Sequence, residues 1–160
     1  MKTRAILVLL SLSSACATGP VSYLVAAPQP QDQAFDCALG KVNELGYTVI
    51  NSNKGAGLIV ATKDRSSAVA KFLANQEKQD QLTVSIFQAT KDGGRKMRAT
   101  AGTTAKQLTL FSQKTSQEAP SKEGIAAAND VLLACGSGAV SKQEVSSVPL
   151  RYSAVRQVGH

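Results

Sequence analysis

Apolar and polar positions alternate along this chain with two different periods, and the switches between them divide it into elements. Over residues 32–45, Phe35, Ala38, Leu39, Val42 and Leu45 recur every three or four positions, which gathers them on one face of a helix. Asp32 is a suitable N-cap, and Gly46 supplies the stop. Cys37 falls at the flank of that apolar face. Tyr47, Thr48, Val49 and Ile50 then read as a strand, and residues 57–62 as its hairpin partner across the turn chemistry of Asn51, Ser52, Asn53, Lys54 and Gly55. Residues 66–77 carry Val69, Phe72 and Leu73 at helical spacing. Strict alternation returns at 82–86 and continues through Met97, Ala99, Ala101 and Thr103, with Lys91, Asp92, Gly93, Gly94 and Arg95 as the turn between. Residues 107–111 read as a further short strand. Pro120 and Ser121 open a last helix in which Ile125, Ala128, Leu132 and Cys135 share a face, and Gly136 ends it.

This order predicts an α+β domain over residues 32–136. An antiparallel sheet of about four strands is expected, covered on one face by the first and last helices, in the order helix, hairpin, helix, hairpin, helix. Cys37 and Cys135 lie in those two helices, so a disulfide between them would pin one to the other. Residues 137–160 lack periodicity and read as a flexible tail. Residues 16–31 contain Pro20, Pro28 and Pro30 and read as a tether, with residues 21–25 as suitable for a short strand as for a loose segment.

The first 15 residues have the parts of a cleaved export signal. Lys2 and Arg4 make a basic start, residues 5–12 an apolar core, and small residues follow. The apolar run is about eight residues, against the roughly 20 that a membrane-spanning helix needs. Leu12-Ser13-Ser14-Ala15-Cys16 resembles the lipobox of bacterial lipoproteins, although Ser13 stands where Leu is commonest. That resemblance implies three acyl chains on Cys16, and Ala17, in place of Asp, implies the outer membrane, facing the periplasm. The other reading is ordinary cleavage after Ala15-Cys16-Ala17, which fits A-x-A and yields a soluble periplasmic or secreted protein with an odd free thiol.

Composition narrows the picture further. The chain holds no Trp, three Tyr and four Phe, so its core rests on Val, Leu, Ile and Ala. A disulfide then weighs heavily: closing a loop of roughly 98 residues is worth about 4–5 kcal/mol in the chain-entropy account. The formal charge is +7, and losing Lys2 and Arg4 with the signal leaves +5. The cations are scattered and the signal leads out of the cytoplasm, so no nucleic-acid partner is expected. A solvated basic surface facing anionic lipid, lipopolysaccharide or peptidoglycan is.

Residues 38–39, 45–49 and 57–60 resemble the helix-grip domains of BamC-like envelope lipoproteins. The similarity covers about 30 residues without a unique motif. That family carries two such domains, and this chain has room for one. The resemblance implies an accessory, non-catalytic role with an envelope protein as partner.

Little in the sequence proposes chemistry. The single histidine is His160, the last residue, which a mobile tail cannot hold as a general base. Without another His, a Ser-His-Asp triad is excluded. No spacing suggests a metal site or a cofactor. The glycines near Arg95 lack phosphate-loop spacing. Arg95, Lys96 and Arg98 nevertheless form the densest positive cluster and are the candidate contact for an anionic envelope ligand. The long separation of Cys37 and Cys135 favours a structural bridge over a redox pair.

Overall fold

The protein is described by a computed structural model covering residues 19–67, 75–89, 93–108 and 112–143. Helix α1 (Gln31–Glu44) buries Ala34, Phe35, Ala38 and Val42 along one stripe. It starts after Pro30 without a side-chain cap, so Asp32 lies in the first turn rather than at the cap. It stops at Gly46, whose φ of +76° is the left-handed geometry that a glycine adopts at least cost. Helix α2 (Lys122–Cys135) buries Ala127, Ala128, Val131, Leu132 and Cys135. Ser121 caps it, its hydroxyl accepting from the Gly124 N–H at 2.8 Å.

Seven strands form one antiparallel sheet: β1 (Val21–Ala26), β2 (Thr48–Asn53), β3 (Leu58–Asp64), β4 (Gln76–Gln88), β5 (Arg95–Leu108), β6 (Gln113–Glu118) and β7 (Ser137–Gln143). The order is β2-β3-β4-β5-β1-β7, with β6 also paired to β5. Strand β5 is the spine. Along one side it pairs with β4 from Arg95 to Gln107. Along the other it pairs first with β1, from Lys96 to Ala101, and then with β6, from Thr103 to Leu108.

Both helices pack on one face of this sheet. The inward residues Ile59, Ala61, Leu82, Val84, Ile86, Met97, Ala99, Ala101 and Val25 join the helix stripes in a single buried cluster. Each fully buried Ile, Leu or Val contributes about 1.5–3 kcal/mol. Ala99 and Ala101 of β5 and Ala127 and Ala128 of α2 all belong to that cluster, the material of an Ala-rich core. Cys37 and Cys135 have sulfurs 2.03 Å apart, at bonding distance, and join α1 to α2. The flank position of Cys37 is therefore the side of α1 that α2 covers.

The sequence reading of four strands in a helix, hairpin, helix, hairpin, helix order does not hold. The fold is mostly β, with seven strands and, among the described residues, two helices. Residues 21–26, assigned to the tether, form an internal strand between β5 and β7. The helix expected over 66–77 ends in strand instead: Gln76 and Glu77 pair with Gln107 and Lys106, and residues 68–74 lie outside the described ones. Gln, Glu and Lys are good helix formers, but cross-strand pairing along β5 overrides that preference. Residues 107 and 108 extend β5 rather than starting a strand, and residues 137–143 of the expected tail form the edge strand β7.

Candidate functional site

The inward face of β4 alternates apolar residues until Asp80, which is 1% exposed. A carboxylate at that depth needs partners, and the neighbouring elements supply them. The Thr103 hydroxyl on β5 donates to its Oδ1 at 2.7 Å. The Ser121 hydroxyl donates to its Oδ2 at 2.5 Å. Arg65, after β3, places Nε 3.5 Å from Oδ2 and extends a terminal nitrogen to Glu123 at 3.0 Å. The Thr103 hydroxyl oxygen in turn accepts from the Ser121 N–H at 3.1 Å. Tyr47, buried nearby, has its phenol pushed up to about 12 by burial and, next, by the charge of Asp80. A Lys63 ammonium sits 5.6 Å from the centre of its ring.

This cluster is closed. The Ser121 hydroxyl spends its one proton on Asp80 and receives the Gly124 amide, so the same oxygen caps α2 and ties it to the sheet. Its lone pair points at a helix amide rather than at a space a substrate could enter. The arrangement fixes the N-terminus of α2 over β4 and β5, a structural task. Sequence reasoning saw Ser121 as a helix start but missed Asp80, Thr103 and Arg65. The available signal was one carboxylate on the apolar parity of β4, in step with Leu82, Val84 and Ile86.

The basic residues singled out from the sequence are divided by the pleat. The Arg95 guanidinium donates to the Gln29 carbonyl at 2.7 Å and lines a depression with Ala27, Pro28, Gln88 and Gly94. Lys96 and Arg98 have the opposite parity from buried Met97 and Ala99, on the sheet face away from the helices. The Arg98 guanidinium lies 5.0 Å from the centre of the Phe87 ring. Its Nε is buried and has no acceptor among the described residues. The same face carries Leu24, Leu58, Val60, Thr83 and Thr100. Where Gly102 interrupts the side chains, a depression of about 170 Å³ opens, lined by Pro20, Gln81, Thr83, Thr100, Thr104 and Gln117.

Cys16 and His160 lie outside the described residues. Among the described residues no three His, Cys, Asp or Glu side chains gather as a metal site, and no helix is long and apolar enough to cross a membrane. Compared with known protein families and with curated protein sequences, the chain matches none.

Proposed function

We propose that the protein is a cell-envelope lipoprotein, held on the outer membrane by acyl chains on Cys16, whose domain serves as a non-catalytic accessory to an envelope protein partner. The observation that carries this reading is the leader: a basic start, a short apolar run and small residues ending at Cys16. The likeness of residues 38–60 to BamC-like domains supports the accessory role, and the mostly β sheet limits it to that short stretch. The closed Asp80 cluster supports it too, since the most deeply buried polar group in the described residues is committed to holding α2. Three chains on one residue make attachment effectively permanent, because each buried methylene contributes about 0.8 kcal/mol. Expressed with its own leader in a Gram-negative host, the protein fractionates with membranes, and Cys16→Ser moves it to the soluble fraction. Retention of Cys16→Ser in the membrane pellet after a high-salt wash counts against the anchor.

The second reading is a binding module for an anionic ligand, lipopolysaccharide or peptidoglycan fragments. The buried Nε of Arg98, without an acceptor among the described residues, favours it. Arg98→Ala weakens binding of such a ligand at least about tenfold, the cost of one charge-assisted hydrogen bond. Unchanged affinity removes this reading.

A further inference from the structure

Strand β1 begins at Val21, five Cα–Cα steps from Cys16. Each step spans at most about 3.6 Å, so, whatever path residues 17 and 18 take, Cys16 lies within roughly 18 Å of the sheet. The chain also leaves the sheet on a definite side. Strand β6 continues along β5 at Thr103, directly beyond the end of β1, and blocks a straight exit. Pro20 instead lies on the face away from the helices: a Cβ built on Gly102 would stand 3.6 Å from the Pro20 Cβ, beside Thr83, Thr100 and Thr104. From Pro20 four steps remain, about 14 Å. A route to the outer side of the helices must pass the sheet and then a helix layer about 10 Å thick.

We infer, resting on the anchor reading above, that the face of the sheet left open among the described residues is a membrane-contact surface, turned to the bilayer by the short segment between Cys16 and Val21. The face suits a headgroup layer. Lys96, Arg98 and Lys106 share it with the carboxylates of Asp64 and Glu77, and half-buried Leu24, Leu58, Val60 and Phe87 lie between hydroxyls and amides. A lipid phosphate reaching the face would meet Arg98 held over Phe87. The helices, with Leu133 exposed on α2, point into the aqueous compartment.

The sequence has no Trp, so a single introduced Trp reports alone. Thr83→Trp, with Thr104→Trp as a second probe of the same face, and Leu133→Trp on the helical side are purified as acylated proteins. Each is reconstituted in vesicles whose lipids carry a headgroup spin label. Far-ultraviolet circular dichroism verifies folding. The open-face probes are quenched several-fold more than Leu133→Trp. Inserting about 20 Gly and Ser residues between Ala17 and Thr18, a coil of roughly 25 Å, reduces that difference. Equal quenching on both sides, or stronger quenching at Leu133→Trp, in an acylated chain overturns the orientation and leaves the anchor standing. A purified chain whose mass shows no acyl groups overturns both.

Discussion

Asp80, 1% exposed, ties β4 to β5, to the start of α2 and to Arg65. Its two oxygens hold Thr103, Ser121 and Arg65, so Asp80→Ala leaves two hydroxyl protons without their acceptor and Arg65 with Glu123 alone. The variant loses about 3–4 kcal/mol in a urea or guanidinium melt. A loss below about 1 kcal/mol contradicts the cluster's role. Gly57 is constrained differently: φ is +63°, and an added Cβ would collide with the Ile86 carbonyl oxygen. Gly57→Ala costs at least about 2 kcal/mol, from left-handed strain plus the clash. Tyr47 gives a pH signature. Its phenol ionises at about 12 in the fold against an ordinary 10.0, so the unfolded chain gives up that proton first. The contribution is full below pH 10 and drains as pH rises toward 12. Denaturation at stepped alkaline pH shows that loss, and Tyr47→Phe removes this part of it.

At the scale of elements, legibility followed locality. The hairpin of β2 and β3, the first helix, the Ser121 start of α2 and its Gly136 stop were readable, because turn residues and helical spacing act within a few positions. Strand β7 was not, and β1 was legible only as one of two equal readings. Their neighbours lie far along the chain, with Val21 opposite Ala101 and Ser22 opposite Gln143, and Pro-rich or Ser-rich flanks resemble a tether or a tail. β4 misled because Gln76 and Glu77, placed at the end of a helix, prefer helix until β5 supplies a ladder. Within the basic trio, the alternation of β5 puts Lys96 and Arg98 on the face opposite Met97 and Ala99, as the strand pattern implied, and gives Arg95 the other parity. The bridge between α1 and α2 was readable from the count of cysteines and their positions on two helices. Cys37→Ser with Cys135→Ser lowers stability by about 2–5 kcal/mol, read from the midpoint of a chemical melt. An unchanged midpoint contradicts the pinning of the helices.

For the whole molecule, the topology changes what an N-terminal anchor does. A long tether lets a domain tumble, whereas, if Cys16 carries the proposed anchor, an internal strand starting five residues later would set both the height of the domain and the face it turns downward. Among the described residues the helices cover one side of the sheet, and Pro20 lies on the other. The account stands on the fate of three cysteines. Intact mass of the protein expressed with its own leader in a Gram-negative host, before and after reduction and alkylation, reads all three together. A triacyl mass on Cys16, with two alkylatable thiols appearing only after reduction, is the predicted result. An unlipidated chain beginning after Ala17 would contradict it, and the anchor with the orientation built on it would fall.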